Sequence, residues 1–347
     1  MKVYDVLFCT NANQKIGSGH LMRSKILANE LAKLNLSILF FLTDNSDINF
    51  SNHVIKGFPG LKIGNSNLLQ SIKRYGSSNA ILIVDSDDPY FFSDTFQKEV
   101  IALGLKLMHI TIDPSHFYRS HIVLNPNIIA QYQEYQTADY TKRLFGPRFF
   151  IFRENFRKTR TLNPDRSSGK LTLFLAFGGS DFHNLTTRIL HSITSLSNFI
   201  SRVHVIIGPL NLHLSEINKM SEQINDIDIS CHVNVPDIEN YMLDSDIAIT
   251  SCGTTFWELA ALNIPTFCIA GSEREKSIAE FLHREKYTYS LGEYDNLTTS
   301  SEIAEIIQKI HKAGIRKFIN SQLLNDQINL DGVSLVADTV RKVLIYE

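Results

Sequence analysis

The sequence predicts an α/β protein with two open, mainly parallel β-sheet domains. At 347 residues the chain is longer than one small core requires and suits two domains of ordinary size. Apolar runs rich in β-formers alternate with helical periodicity in both halves of the chain, which is typical of parallel sheets covered on both faces. A charged and polar stretch with few apolar residues separates the two halves.

The first half carries the first set of alternating elements. Its predicted strands are residues 3–9, 36–42, 80–85 and 107–113. Its predicted helices are residues 68–73 and 92–103. A further helix is expected directly after the first strand, because Leu21, Leu27 and Leu31 recur at helical spacing.

The second half repeats this alternation. Its predicted strands are residues 171–177, 203–207, 247–250 and 265–270. Its predicted helices are residues 185–196, 256–262, 277–284 and 333–345. The helix at 333–345 has an apolar face that could pack on either half.

These patterns predict the domain boundaries. The expected divisions are a first domain at residues 1–156, a linker at 157–170, a second domain at 171–330 and a final helix at 331–347.

Composition excludes several classes of protein. The net charge of −2 gives no basic surface of the kind that nucleic-acid binding needs, so an anion would have to meet a local site. No leader pattern or membrane-length apolar run is visible, which predicts a cytoplasmic protein without an integral membrane segment. The four cysteines form no CxxC pair, so reduced packing residues are expected rather than zinc ligands or disulfides.

The rest of the chain is organised around residues 16–23 (IGSGHLMR), where the first strand gives way to a helix. Gly17 and Gly19 allow a ligand to approach backbone N–H groups at a helix N-terminus, which favours an anion such as a diphosphate. His20 follows them, and Arg23 lies about one helical turn further on. A histidine there can act as a base beside a bound anion, although a capping role for His20 is an equally open interpretation.

Asp85 and Asp113 are the last residues of two other predicted strands of the first half. Ligands of such sheets bind beyond the carboxyl ends of the strands, where both carboxylates should lie. Helix capping or turn formation is the favoured interpretation for each of them taken alone.

Two turns of the second half complete the pattern. One is a glycine-rich turn that offers backbone N–H groups and a hydroxyl to phosphate oxygens. Its candidate ligands are Gly178, Gly179, Ser180, Asp181 and Asn184. The other turn precedes a helix whose first turn is expected to contain a carboxylate for a ribose diol, and its candidate ligands are Gly253, Thr254, Thr255 and Glu258. A simple helix-dipole role for Glu258 stays open. Together the turns and the histidine predict a nucleotide-diphosphate sugar in an interdomain cleft.

The ordered motifs resemble a known family. Residues 16–23 (IGSGHLMR), 177–184 (FGGSDFHN) and 251–259 (SCGTTFWEL) are similar to segments of the GT-B nucleotide-sugar enzymes, and most of all to the PseG-type UDP-sugar hydrolases. Those enzymes release UDP from UDP-2,4-diacetamido-2,4,6-trideoxy-β-L-altropyranose in pseudaminic acid biosynthesis. Weaker matches lie at residues 123–127 and 145–156, so the resemblance covers nearly the whole chain.

The resemblance implies a GT-B-like fold, with two Rossmann-like open-sheet domains facing an interdomain cleft, and a role for each motif. His20 would activate water for attack at the anomeric carbon, with inversion and departure of UDP. Gly179, Ser180, Thr254 and Thr255 would lie near the phosphates, and Glu258 would bind the ribose. Backbone dipoles and hydroxyls would stabilise the leaving group, so that no metal or other cofactor is implied. The UDP-sugar is the one implied partner, and the oligomeric state is not predicted.

The chain departs from the family pattern at three places where the sugar should sit. Residues 9–11 (CTN) replace an Arg-x-Asp segment, so Cys9 and Asn11 stand where two charges are usual. Ser86 lies within residues 85–90 (DSDDPY), where the family has Asp-x-Tyr, and Arg274 lies within residues 272–276 (SEREK), where it has Asn-Gln.

Three functions fit these features. The first is a UDP-sugar hydrolase. The second is a GT-B glycosyltransferase in which His20 deprotonates an acceptor hydroxyl of a sugar or lipid. The third is a nucleotide-sugar-binding protein without catalysis.

Overall fold

A computed structural model describes residues 2–158, 169–296 and 300–346. The chain divides into two compact units: unit 1 is Met1–Arg153 with Ile328–Glu347, and unit 2 is Glu154–Gln327. The predicted linker at residues 157–170 falls mostly on residues 159–168, which lie outside the described residues.

Unit 1 contains an open parallel sheet. Its described strands are β1 (Tyr4–Thr10), β2 (Ile38–Thr43), β3 (Gly60–Ile63), β4 (Gly76–Asp85), β5 (Lys106–Ile110), β6 (Phe117–Tyr118), β7 (Ile122–Asn125), β8 (Gln136–Thr137) and β9 (Lys142–Phe145). Seven of these described strands form the main sheet in the order β3-β2-β1-β4-β5-β7-β9, and β6 pairs with β8 separately. The main pairings are parallel, and Thr10 at the end of β1 lies beside Asp85 at the end of β4.

Helices cover both faces of this sheet. The described helices of unit 1 are α1 (Gly19–Lys33), α2 (Ile48–Val54), α3 (Asn65–Tyr75) and α4 (Asp94–Ala102), with a later one at Gly332–Tyr346. Alternate residues of β1 face opposite cores: Val6 and Phe8 pack with α1 and the later helix, whereas Leu7 packs with α3 and α4. This alternation is the period of two expected of a strand buried on both faces.

Unit 2 repeats the architecture. Its described strands are β10 (Leu171–Ala176), β11 (Ile200–Ile207), β12 (Asp228–Val233), β13 (Ile247–Ser251), β14 (Thr266–Ala270) and β15 (Tyr289–Glu293). Its described helices are α5 (Glu154–Lys158), α6 (Leu185–Ile193), α7 (Leu214–Glu222), α8 (Ile238–Leu243), α9 (Thr254–Ala261), α10 (Glu273–Arg284), α11 (Ser300–Ala313) and α12 (Ser321–Asn325). Within these described residues the parallel sheet has the order β12-β11-β10-β13-β14-β15.

The later helix of unit 1, α13 (Gly332–Tyr346), carries a run of buried side chains. Its buried apolar residues are Val333, Val336, Ala337, Val340, Val343 and Leu344. All of them belong to the core cluster that also contains Val6 and Phe8 of β1. The helix therefore completes the core of the unit whose first strand lies more than 300 residues earlier in the chain.

The eight predicted strands are confirmed, with ends that differ by a few residues. The largest difference is in β4, which begins at Gly76 and not at residue 80. The strand β5 ends at Ile110 and leaves Asp113 in the following loop. The other described strands were not predicted, namely β3, β6, β7, β8, β9, β12 and β15. Because β12 is among them, the strand at Ile247–Ser251 is the fourth of unit 2 in chain order and not the third. In the described ranges 2–158, 169–296 and 300–346, no helix combines the length and apolar composition that crossing a membrane requires.

Candidate functional site

The strand order of unit 1 reverses between β1 and β4, because the chain runs outward to β2 and β3 and then returns to the other side of β1. In open parallel sheets the loops that follow the two strands at such a reversal diverge and leave a crevice beyond their carboxyl ends. One loop leads to His20 at the start of α1, and the other contains residues 86–88. Open parallel sheets bind their ligands at this kind of position.

His20 lies in the first turn of α1, and both of its ring nitrogens face polar groups. Its Nδ1 is 3.0 Å from Oδ1 of Asn11, and its Nε2 is 3.7 Å from Oδ2 of Asp87. The side chain of His20 is 19% exposed, so part of it is accessible to a ligand. The residue at the N-cap is Ser18, so the capping interpretation of His20 is wrong.

The loop before α1 is held by its own hydrogen bonds. Lys15 and Ile16 donate backbone N–H groups to Oδ1 of Asn13, each at 2.9 Å, and Gly17 donates to the Asn13 carbonyl oxygen at 2.7 Å. Gly17 has φ of +81°, a conformation that glycine adopts at little cost. These three N–H groups therefore stabilise the loop. A Cβ at Gly19 would meet nothing within 4 Å, so the space beside Gly19 is open.

Arg23 forms a bidentate ion pair with Asp85. Its Nε donates to Oδ2 at 2.9 Å and its Nη2 to Oδ1 at 2.5 Å, and the Ser24 hydroxyl donates to Oδ2 at 3.3 Å. Burial by itself lowers the pKa of Arg23, but the charge and hydrogen bonds of Asp85 outweigh burial and raise the pKa. The ion pair thus joins α1 to the end of β4. The interpretation that Asp85 caps a helix or forms a turn is therefore wrong.

Asp113 behaves differently from Asp85. Its Oδ1 accepts the backbone N–H of Ser115 at 2.8 Å, which is the short-range bond of an Asx turn. The turn interpretation of Asp113 is confirmed.

Unit 2 has the same reversal of strand order, between β10 and β13. The turn after β10 contains the predicted Gly178 to Asn184 ligands, and the turn after β13 contains Gly253. Ala176 and Thr250 are register partners near the ends of these strands, so the two predicted nucleotide turns leave the sheet side by side.

The first of these turns is stabilised mainly by Asp181. Its two carboxylate oxygens accept the backbone N–H groups of Leu185 at 2.8 Å and Thr186 at 3.0 Å, and thereby cap α6. The side chain is 5% exposed, and its burial raises the pKa of Asp181. Asp181 is committed to the helix, whereas Gly178 is exposed and Ser180 is half-buried.

A neighbouring loop passes very close to this turn. A Cβ at Gly208 would lie 2.4 Å from the Gly179 carbonyl oxygen and 2.5 Å from that of Gly178. The backbone N–H of Leu210 donates to the same Gly179 oxygen at 2.9 Å. Only glycine at position 208 permits this approach, which fixes the orientation of the Gly179 peptide.

Asn184 occupies the N-cap position of α6 in the left-handed region, with φ of +50°. Its Oδ1 is buried and has no hydrogen-bond partner among the described residues. An amide oxygen only accepts hydrogen bonds, so it suits a hydroxyl or N–H of a ligand rather than a phosphate oxygen.

The second turn leads into α9, which begins at Thr254 with Gly253 at the N-cap. No side chain of the described residues caps this helix. Uncapped N–H groups at a helix N-terminus favour the binding of an anion. Thr254 and Thr255 are half-buried at this end.

Glu258 lies one turn further along α9, and the expectation that it belongs to the first turn is wrong. The helix begins two residues earlier than predicted, at Thr254, which moves Glu258 into the second turn. Its side chain is 2% exposed. A simple complement to the helix dipole is therefore excluded for Glu258, because that effect is confined to the first turn.

Glu275 is a half-buried carboxylate whose role the sequence did not predict. Its Oε2 accepts the backbone N–H of Cys252 at 3.2 Å and that of Gly271 at 2.9 Å, and so ties together the loops after β13 and β14. Burial raises the pKa of Glu275, although the two backbone hydrogen bonds oppose this effect. Residues 272–276 were noted as a departure from the family pattern, but no local signal assigns this role to Glu275.

The other departures have distinct environments. Cys9 is 1% exposed, and burial, together with the charge of Asp88, raises the pKa of its thiol well above the ordinary value. Cys9 is thus a packing residue, and all four cysteines are free thiols. Arg274 is exposed in the first turn of α10.

Comparison with known proteins gives one sequence relative and many similar structures. No protein-family model matches the chain. An uncharacterized protein of Methanocaldococcus jannaschii is 27% identical over 279 residues. That match covers 78% of this chain and 56% of the relative, so the chain spans little more than half the length of that protein.

Three solved structures illustrate the structural similarity. MurG of Acinetobacter baumannii has a TM-score of 0.67 at 11% identity, covering 97% of this chain and 99% of that one. Phytolacca americana UGT2, in complex with UDP-2fluoro-glucose and pterostilbene, has a TM-score of 0.63 at 11% identity, with coverages of 97% and 99%. A glycosyltransferase from Rickettsia africae has a TM-score of 0.60 at 12% identity and covers all of both chains. Identities this low establish the fold alone: the chain has the GT-B fold.

Proposed function

We propose that the protein is a nucleotide-sugar hydrolase that removes UDP from a UDP-linked diacetamido-trideoxy-hexose, as in pseudaminic-acid-type biosynthesis of surface glycans. The observation that carries this proposal is the environment of His20. Its imidazole lies at the strand-order reversal of unit 1, with Nδ1 3.0 Å from Oδ1 of Asn11 and Nε2 3.7 Å from the Asp87 carboxylate, and its side chain is partly exposed. A hydrolase needs a base in this position, because a neutral water is a weak nucleophile.

The proposed reaction is a single inverting displacement. Nε2 of His20 accepts a proton from water as the water oxygen bonds to the anomeric carbon, and the bond from that carbon to the UDP oxygen breaks. UDP leaves with the bonding electron pair. The imidazolium that forms has the Asp87 carboxylate 3.7 Å from Nε2, which stabilises the positive charge until the proton is released.

Unit 2 supplies the proposed nucleotide site. The uncapped start of α9, with Thr254 and Thr255, and the turn with Gly179 and Ser180 would bind the diphosphate through N–H and hydroxyl donors. Glu258 would accept hydrogen bonds from the ribose, and the unpartnered Oδ1 of Asn184 would accept one from a hydroxyl or N–H of the nucleotide.

Arg23 has a supporting role in this proposal. Its Nε and one terminal nitrogen are committed to Asp85, so that it fixes α1 against β4 and thereby holds His20 in place. The other terminal nitrogen is the part of the guanidinium that could reach substrate.

A glycosyltransferase is the second candidate. The similar structures include a protein described as a glycosyltransferase, and another, UGT2, is in complex with UDP-2fluoro-glucose. In that case His20 would take the proton of an acceptor hydroxyl, and the rest of the site would act in the same way.

The deciding experiment measures nucleotide release from a panel of UDP-sugars in ¹⁸O-labelled water without an acceptor. We expect UDP release with the label on the sugar and none on UDP, because the bond between the anomeric carbon and oxygen is the one that breaks. His20→Ala should lower the rate by about 10²–10⁴-fold. The matched control His53→Ala removes an exposed histidine of α2 and should retain full activity.

The remaining outcomes separate the alternatives. UDP binding without release until a sugar or lipid acceptor is added would establish the transferase. UDP binding with no turnover under either condition would establish a binding protein.

A further inference from the structure

A chain of buried polar groups lies behind His20, at the ends of β1 and β4. Asn11 is 1% exposed and Ser86 is 2% exposed, and both directly follow the register pair of Thr10 and Asp85. The Asn11 Nδ2 donates to the Ser86 hydroxyl at 3.2 Å, and Asn11 Oδ1 lies 3.0 Å from Nδ1 of His20. The side chain of Asn11 therefore bridges the catalytic candidate and the neighbouring strand.

The directions of these bonds determine the proton position on His20. An amide oxygen has no hydrogen to donate, so Nδ1 of His20 must carry the proton in the bond to Asn11. The neutral ring then has its lone pair on Nε2. The distance of 3.7 Å from Nε2 to Asp87 is too long for a hydrogen bond and leaves that lone pair available.

Ser86 keeps the Asn11 amide in this orientation. Its hydroxyl oxygen accepts both the Asn11 Nδ2 and the backbone N–H of Asp88, the latter at 3.3 Å. Asp88 is anchored in turn, because its carboxylate accepts the backbone N–H of Tyr90 at 2.9 Å and the Nδ2 of Asn65 at 3.0 Å. Ser86 is thus tied to the backbone of the loop after β4, and Asp88 ties that loop to α3 through Asn65.

We propose that Asn11, oriented by Ser86, is a positioning residue that holds His20 in the tautomer with a proton on Nδ1 and a free lone pair on Nε2. This assignment rests on the proposed function only for the use of that lone pair, the activation of water. Because Asn11 is neutral, the imidazolium gains no charge stabilisation at Nδ1, and Asp87 on the Nε2 side is the nearby carboxylate instead.

The tautomer is tested first, in the full-length wild-type protein without substrate. Nitrogen-15 NMR of the imidazole, at a pH where His20 is neutral, reports which ring nitrogen carries the proton. We expect one tautomer, protonated on Nδ1, in the wild type and a mixture in Asn11→Ala. A wild-type ring protonated on Nε2 would overturn the proposal, and so would an unchanged tautomer in Asn11→Ala.

Kinetics on an accepted UDP-sugar then separate positioning from stability. Asn11→Ala should lower kcat several-fold with little change in KM, because only the fraction of rings protonated on Nδ1 can accept the proton on Nε2. Asn11→Asp keeps an acceptor for Nδ1–H and should restore most of kcat. It should also move the acidic limb of the pH–rate profile to higher pH, since its carboxylate stabilises the imidazolium.

Ser86→Ala provides a second variant that leaves Asn11 in place, and it should give a smaller loss of kcat together with a partial tautomer mixture. Asn52→Ala, which removes an exposed amide of α2, is the matched control and should change neither readout. Unchanged kcat in folded Asn11→Ala would contradict the positioning role. Failure of every UDP-sugar as a substrate, with the expected NMR result, would instead contradict the proposed function alone.

Discussion

At the scale of single residues, His109 shows how a buried histidine can serve the fold and not the chemistry. It is fully buried on β5, its Nε2 donates to the Phe91 carbonyl oxygen at 3.0 Å, and its Nδ1 is 2.6 Å from the Ser120 hydroxyl. Burial lowers the pKa of His109 to about 4, although the bond to Phe91 opposes that effect. Neutral His109 thus satisfies two polar groups inside unit 1.

This environment predicts acid sensitivity. The unfolded chain binds a proton at His109 near the ordinary pKa of 6.5, whereas the folded chain does so only near pH 4. The free energy of unfolding should therefore fall as the pH drops from 6.5 to 4, by up to about 3 kcal/mol. His109→Gln should be less stable than wild type at pH 7 but should lose less stability over that interval.

Chemical denaturation at a series of pH values measures both effects. His53→Gln alters an exposed histidine and serves as the control, with a pH dependence like that of the wild type. A His109→Gln variant that loses stability in acid as steeply as the wild type would contradict this assignment.

At the scale of elements, the turn after β10 depends on its close packing against the loop after β11. Gly208→Ala should force the two loops apart, because the new Cβ would lie 2.4 Å from the Gly179 carbonyl oxygen. Gly178→Ala is the matched variant: its φ is +71°, but a Cβ there meets nothing within 4 Å, so only backbone strain of about 1 kcal/mol is added.

We expect Gly208→Ala to weaken UDP binding by at least about tenfold and more than Gly178→Ala does, which corresponds to about 1.4 kcal/mol or more. Isothermal titration calorimetry measures the UDP affinity of the wild type and of both variants. The free energy of unfolding, measured alongside, shows whether each variant is folded. Equal UDP affinities in the wild type and a folded Gly208→Ala variant would show that the Gly179 peptide does not contribute to the nucleotide site.

Strands and turns that have a local signal in the sequence could be predicted, whereas polar edge strands and long-range side-chain pairs could not. Central strands such as β1 and β10 are nearly continuous apolar runs, and the glycine-rich turns after them are local signals, so both were found. The edge strand β12 was missed because it is polar and only partly buried, with the sequence DISCHV. The Arg23–Asp85 and Asn11–Ser86 pairs join residues 62 and 75 positions apart, and only the register of β1 with β4 brings them together.

At the scale of the whole molecule, α13 makes unit 1 discontinuous in sequence. Val340 of this helix is fully buried in the core that also contains Phe8 of β1. Val340→Asp should therefore unfold unit 1 or destabilise it severely, since a buried unpaired carboxylate costs several kcal/mol. Lys342→Asp places the same carboxylate on an exposed position of α13 and should have little effect.

Hydrogen exchange followed by mass spectrometry checks this prediction unit by unit. In Val340→Asp we expect rapid exchange at β1 and β2, while β10 and β13 keep their protection. Loss of protection in both units together would show that they unfold as one cooperative block, and native protection of β1 would contradict the assigned role of α13.

The discontinuity of unit 1 also matters while the chain is being synthesised. Unit 2 is a single continuous segment, so all of it emerges from the ribosome before α13 does and it can begin to fold without that helix. Residues 2–153 emerge earlier, but the core of unit 1 stays incomplete until α13 emerges. Until then, the face of β1 that α13 later covers is open to solvent. An apolar sheet face that is exposed during synthesis can bind chaperones and can lead to aggregation. Unit 1 therefore begins to emerge before unit 2, but its core is completed only after unit 2 has emerged.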